Sequence, residues 1–331
     1  MRPFIRWEFF LILLLLLELM VFGIISPGFM NLGNLLFSMN DFMYISMAAI
    51  PMTLVIITGG IDVSVGSIMG LSSILTGVLW KEGVPLTLAV LAALTAAIAA
   101  GLLNGLIITA ANVQPLVVTL GGMFLYSGIA LVISGGSKAS GYEGITGFPD
   151  AFSGMANGSL LGIPNPLWFL GLLTLIFCWL LHYTRYGRRL FLTGINPKTA
   201  HYSGIRVKPV IISAYMLSGL GGGLGGVLLT SYFSSARADL GSEAVLPVIT
   251  AVVLGGASIL GGQGTIAGTV LASMVVGIMQ YGLQMAGLAS EQAGIAIGLL
   301  LIFTVLLRQS RIKGIFKALV KHDKTASNLK V

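Results

Sequence analysis

Charge is what this chain has least of. Only 9% of its 331 residues are Asp, Glu, Lys or Arg, against about 25% in a water-soluble domain, so a soluble surface cannot be built from this set. Cysteine occurs once, as Cys178, which excludes an internal disulfide and a cysteine-built metal cluster. The three histidines, His182, His201 and His322, lie far apart in sequence, so no metal site is expected. No Gly-Lys dipeptide occurs anywhere, so the phosphate-cradling Gly-x-x-x-x-Gly-Lys-[Ser/Thr] loop of an ATPase is missing. No nucleophile–base pair is visible either. The reading is a non-enzyme with no catalytic residues and no cofactor of its own.

Apolar residues dominate instead: 56% of the chain is hydrophobic and the mean hydropathy is +0.97. About twenty apolar residues cross a bilayer as a helix. Ten segments approach that length, over 9–25, 41–58, 66–80, 86–109, 116–134, 166–182, 209–231, 244–260, 265–283 and 289–307. The expected fold class is an all-α polytopic membrane protein of about ten transmembrane helices. The start, with its basic residues and apolar run, imitates a signal peptide but lacks a small-x-small cleavage site and is read as a retained first span.

The net charge of +7 is not a sign of nucleic-acid binding, because fifteen of the eighteen Lys and Arg fall in three places. These are Arg2 and Arg6, the segment 183–208 and a tail that begins at Arg308. Lys and Arg resist translocation, so such clusters mark the cytoplasmic side; a basic tail also meets anionic lipid headgroups. Six spans bring the 183–208 loop back to the side of the amino end, and four more return the tail there. The expected organisation is a transmembrane domain over 1–307, with a cytoplasmic loop over 183–208 and an external loop over 135–165, followed by a basic cytoplasmic tail over 308–331.

Glycine is abundant, 45 residues. Small residues let helices approach closely in lipid, and Gly101-x-x-x-Gly105 and the run from Gly219 to Gly226 read that way. Two further sites are helix breaks. The string ITGGIDVSVGSIMG echoes VLGGASILGGQGTIAG, aligning Gly59-Gly60 with Gly255-Gly256, and matched interruptions in two halves of a transporter point to its pathway. Asp62, between Gly60 and Ser64, either caps the helix that follows or faces the pathway. Glu18 interrupts the first span, where it snorkels or bonds to a neighbouring helix. The remaining deep polar residues are neutral: Asn104, Asn112, Gln114, Thr119, Thr250, Gln280 and Gln284. Amides and hydroxyls suit a neutral, hydroxyl-rich solute and equally suit bonds between helices. The candidate pathway set is Gly59, Gly60, Asp62, Ser64, Asn104, Thr119, Gly255, Gly256 and Gln284.

Four strings carry a resemblance: VIITGGIDVSVGSIMGL, GLLNGLIITAANVQPLVVTLGGMFLYSGIAL, GRRLFLTGINPKTAHYSGI and AVVLGGASILGGQGTIAGT. In this order they resemble the permease subunits of bacterial ATP-binding-cassette sugar importers of the ribose type, over about residues 30 to 305. The resemblance implies an inner-membrane permease, a second homologous permease beside it, cytoplasmic ATP-hydrolysing subunits and a periplasmic solute-binding protein. It makes 183–208 the coupling segment, with a short helix near 196–203 docking the ATPase. Gly187, Arg188, Arg189, Gly194, Asn196, Ala200, Ser203 and Gly204 are its candidate residues. Sugar permeases of the family usually carry Glu-Leu-Asp shortly before Ala-Val-Val-Leu-Gly-Gly, whereas this chain reads Val245-Leu246-Pro247. Together with GYEGITGFPDAF, SYFSSARADLG and YGLQMAG, that departure resembles the branch of the family that imports autoinducer-2, a furanosyl signalling molecule. A ribose or other pentose permease is the alternative within the family. An ion-coupled carrier is the alternative of a different class, and the scarcity of buried charge weighs against it.

Overall fold

A computed structural model describes residues 2–26, 28–135 and 144–308. The part of the expected external loop over 136–143, and the basic tail from 309 onward, lie outside the described residues. The helices in chain order are α1 (Arg2–Ile25), α2 (Leu32–Ser38), α3 (Met43–Ile57), α4 (Val65–Lys81), α5 (Leu86–Ala111) and α6 (Pro115–Ile133). There follow α7 (Asp150–Asn157), a two-strand antiparallel hairpin of β1 (Ser159–Leu160) and β2 (Ile163–Pro164), and α8 (Asn165–Cys178), which ends in a π-helical turn over Trp179–Tyr183. The rest are α9 (Arg185–Ile195), α10 (Pro197–Tyr202), α11 (Val207–Phe233), α12 (Val245–Leu254), α13 (Ile266–Met285) and α14 (Ser290–Arg308).

Among the described residues, six helical segments are long and apolar enough to cross a membrane: Trp7–Ile25, Leu86–Ala111, Pro115–Ile133, Asn165–Tyr183, Val207–Phe233 and Ile266–Met285. A seventh is the pair Leu32–Asp41 and Met43–Ile57, bent by 56°. The molecule is thus a helical polytopic membrane protein. The other three apolar segments also form helices, but shorter ones: Val65–Lys81, Val245–Leu254 and Glu291–Leu306.

Two departures from the sequence expectation have local causes. The second segment begins at Leu32, because Asn31 accepts hydrogen bonds from the Gly33 and Asn34 amides and starts α2 among polar residues that a hydropathy window discounts. The eighth segment stops at Leu254, where Gly255 ends the helix and Gly256 adopts φ +107°.

The core is organised around α11, which packs on α3, α4 and α5. Close approach explains its glycines. A Cβ on Gly219 or Gly226 would fall inside the contact distance of the Ala97 or Met69 carbonyl, and one on Gly101 of α5 would strike the Tyr215 carbonyl. Lipid supplies no hydrophobic drive between helices, so such backbone contact and dispersion hold the bundle.

Contacts define two ends. At one end lie Trp7, whose indole donates to the Leu254 carbonyl at 2.7 Å, together with the C-terminus of α3, the 255–265 loop, and α9 with α10. At the opposite end lie Asp41, α7, the hairpin, the 234–244 connector and the C-terminus of α13. There Ile145 and Ala236 exchange two backbone hydrogen bonds of 2.8 Å.

Candidate functional site

The basic segment 183–208 folds into two short helices, α9 and α10, the second falling where a short helix was expected near 196–203. Thr184 accepts from the Gly187 amide to start α9, and buried Gly187, Leu190, Thr193 and Gly194 form that helix's inner face. Arg185, Arg188 and Arg189 occupy its exposed side. Asn196 then accepts from the Lys198 and Thr199 amides at 3.0 and 3.1 Å, so one side chain caps α10. Ala200 is buried beneath α10, Ser203 closes it, and Gly204 at φ +79° turns the chain into α11. Tyr202 is 89% exposed and Ile195 68%. Two exposed apolar side chains beside three arginines, outside the spans, form a surface suited to another protein.

Gly194 anchors that surface to the bundle. The Gly262 amide donates to the Ile57 carbonyl at 2.8 Å, joining the two glycine breaks. Gly194 lies directly on this bond: a Cβ there would strike the Ile57 oxygen and stand 2.6 Å from the Gly262 nitrogen. Gly59 (φ +82°), Gly261 (φ +86°) and Gly262 (φ +75°) adopt left-handed backbone that other residues resist. The breaks at Gly59-Gly60 and Gly255-Gly256 thus sit at the end shared with α9 and α10. Sequence spacing gave no sign of Ile57 or Gly262 as their link.

Asp62, Ser64, Asn104 and Thr119 are brought together behind that seat, all buried. Asp62 Oδ1 accepts from the Ser64 amide at 3.0 Å and from Ser64 Oγ at 2.6 Å, and Oδ2 accepts from Ser218 Oγ at 2.8 Å. The bonded amide precedes α4, so the carboxylate organises the turn before the helix and does not cap its first turn. Ser64 Oγ in turn accepts from Asn104 Nδ2 at 2.8 Å. The Tyr126 hydroxyl stands 2.8 Å from both Asn104 Oδ1 and the Ala100 carbonyl, and Thr119 Oγ1 stands 3.1 Å from the Ile61 carbonyl. A buried carboxylate is tolerated when donors surround it. This cluster ties the α3–α4 connector to α5, α6 and α11. Ser218 and Tyr126 escaped sequence reasoning, since each looks like an ordinary small or aromatic residue of an apolar helix.

Gln284 is elsewhere, at the opposite end, beside Gln280 on a cavity of about 460 Å³. Asp41, Tyr44, Tyr232, Arg237, Asp239 and Glu243 also line it. Tyr232 donates to Asp41. Arg237 holds Asp239 through two bonds of 2.9 and 2.6 Å, and that pairing raises the Arg237 pKa above its ordinary value. Asp239 and Ser242 also line a second cavity of about 280 Å³, which reaches Gly66, Ser67 and Ser127. Of the other polar residues, Thr250 is buried and donates to the Leu246 carbonyl, whereas Asn112 and Gln114 lie in the exposed α5–α6 turn.

Comparison with known proteins places this geometry. The chain is 46% identical over 310 residues to the autoinducer 2 import system permease protein LsrD of Salmonella paratyphi A, covering 93% of each. It is 47% identical over 308 residues to the protein of the same name from Escherichia coli O9:H4 (strain HS), again covering 93% of each. No solved structure matches. Residues 34–305 match the family described as branched-chain amino acid transport system / permease component. With that match spanning nearly all the helices above, the chain belongs to this permease family.

Proposed function

We propose that this chain is the D-type permease of a binding-protein-dependent, ATP-driven importer that carries autoinducer-2 across the bacterial inner membrane. The likeness over 93% of the chain to permeases named for that import carries the reading. The chain crosses the membrane ten times, with the bent α2–α3 pair and the shorter α4, α12 and α14 counted as spans. Both ends are cytoplasmic. Even parity and the clustering of Lys and Arg support this sidedness.

In this reading α9 and α10 dock the cytoplasmic ATP-binding subunits, where ATP is consumed. The exposed Ile195, Tyr202, Arg188 and Arg189 suit that contact, and Gly194 on the Ile57–Gly262 bond gives it a stiff connection to both glycine breaks. The periplasmic binding protein delivers solute at the opposite end, near the hairpin and the 234–244 connector. A homologous second permease completes the passage as a heterodimer.

The test is uptake by cells lacking this chain, following loss of autoinducer-2 and of labelled ribose from the medium in parallel. Selective loss of autoinducer-2 uptake, restored by the gene, is the expected outcome. Selective loss of ribose uptake assigns a pentose instead. Uptake that persists without any ATP-binding subunit assigns an ion-coupled carrier.

A further inference from the structure

We infer that the cavity at the outer end of the bundle is a solute-binding site within this chain, selective for a neutral, polyhydroxylated solute. The inference rests on the importer reading for the direction of flow, but not for binding. The cavity is formed where the bent entry to α3, the end of α11, the 234–244 connector and the end of α13 meet. Its volume of about 460 Å³ falls within the range of small-molecule sites, about 300–1,000 Å³.

Its wall carries the chemistry that recognises hydroxyl groups. Gln280 and Gln284 offer amides, each with two donors and an acceptor. Asp41 and Asp239 are oriented by one partner each, Tyr232 and Arg237, and a carboxylate has further lone pairs to offer vicinal hydroxyls. Of the two glutamines, Gln284 is exposed on this wall, so its amide is open to a solute in the cavity.

Charge sets the class. Asp41 and Asp239 line this wall with one guanidinium, that of Arg237, which Asp239 already engages. An anion such as a sugar phosphate meets the Asp41 carboxylate with no unengaged cation among the described residues of this wall to offset it, whereas a neutral furanose or pentose meets donors and acceptors alike. Asp239 and Ser242 form the partition to the smaller cavity beside Gly66 and Ser67, so a solute held here lies one residue layer from the start of α4.

The deciding experiment is equilibrium binding by the complete transporter, purified in nanodiscs through a tag on this chain, without nucleotide or binding protein. The probes are labelled ribose, autoinducer-2 and ribose 5-phosphate. Saturable binding of a neutral probe is expected. Gln284→Leu and Asp41→Asn should each weaken it by about tenfold, as should the phosphate on ribose. Gln280→Leu should do the same; should it fail to assemble, the exposed Gln284 and Asp41 variants decide. Absence of saturable binding, or affinity unchanged in both exposed variants, overturns the site. Binding of ribose without autoinducer-2 leaves the site standing and removes the autoinducer-2 assignment. Import of autoinducer-2 by cells, with no binding to the purified complex, removes the site and leaves the import reading intact.

Discussion

Ser218 of α11 donates a 2.8 Å hydrogen bond to Asp62, 156 residues earlier on the α3–α4 connector. The bond fixes a carboxylate inside the bundle, and the carboxylate fixes the turn that starts α4. Hydrogen bonds to a charged group contribute about 1.5–3 kcal/mol each. Ser218→Ala is therefore expected to lower stability by about 1–3 kcal/mol.

Asp62→Ala is expected to cost more, because it strands the Ser64 amide, Ser64 Oγ and Ser218 Oγ together. Asp62→Asn keeps the volume but turns one acceptor into a donor that faces donors. Thermal unfolding of the purified transporter should rank the variants wild type, Ser218→Ala, Asp62→Asn, Asp62→Ala. An Asp62→Asn protein as stable as wild type would show that the cluster needs no carboxylate.

The seat of Gly194 on Ile57 yields a second prediction. Any Cβ there collides with backbone atoms, which cannot swing aside as a side chain can. Gly194→Val is expected to lift α9 and α10 off the bundle, abolishing uptake while leaving membrane insertion intact. Removing 196–203 or making Gly194→Pro should act the same way. Asn196→Ala is milder: loss of the cap costs α10 about 1 kcal/mol and should lower the rate partially. Initial uptake rates normalised to the amount of protein in the membrane check both. Normal uptake by Gly194→Val sinks the coupling assignment.

Much of the helical pattern was legible in the sequence, because prolines and glycines punctuate it. Pro115 starts α6 at its first position, and the expected 86–109 differs from the observed Leu86–Ala111 only by fraying at one end. Hydropathy averages over about twenty residues, so it missed α2 and overran Gly255. The Asp62 cluster was half legible. Asp62, Ser64 and Asn104 stand out as polar residues in apolar surroundings, but Ser218 and Tyr126 acquire their role only when α11 and α6 pack beside them. The outer cavity was hidden for the same reason. Its residues come from four separate stretches, and only Gln284 had been grouped with the pathway.

Packing around α11 separates two kinds of glycine. Gly219 and Gly226 face backbone, whereas a Cβ on Gly121 or Gly128 of α6 meets nothing within 4 Å in this chain. Adding bulk to a filled interface costs about 1–3 kcal/mol or more. Gly219→Val and Gly226→Val are expected to unfold at lower temperature or to fail to accumulate in the membrane. Gly121→Ala and Gly128→Ala should leave the fold of the chain unchanged. Membrane-fraction yield and thermal unfolding of the four variants provide the comparison; equal loss at Gly121 or Gly128 would mean that α6 is covered by a partner in the assembled transporter.

The Arg237–Asp239 pair bears more on transport than on stability. Its side chains are 37% and 35% exposed, and ion pairs this open contribute about 0.2–1 kcal/mol after screening by salt. The turn is held independently, since the Arg237 amide donates to Ser73 Oγ at 3.1 Å. Asp239, however, stands on the partition between the two cavities, and the planar fork of Arg237 sets its orientation. Lysine keeps the charge but not the fork. Arg237→Lys is therefore expected to unfold within about 1 kcal/mol of wild type, yet to import solute more slowly. Thermal unfolding and initial uptake, measured on the same preparation, separate the two effects. A fall in both together would make the pair a structural clamp on the 234–244 connector; a fall in uptake alone places its role at the cavity wall.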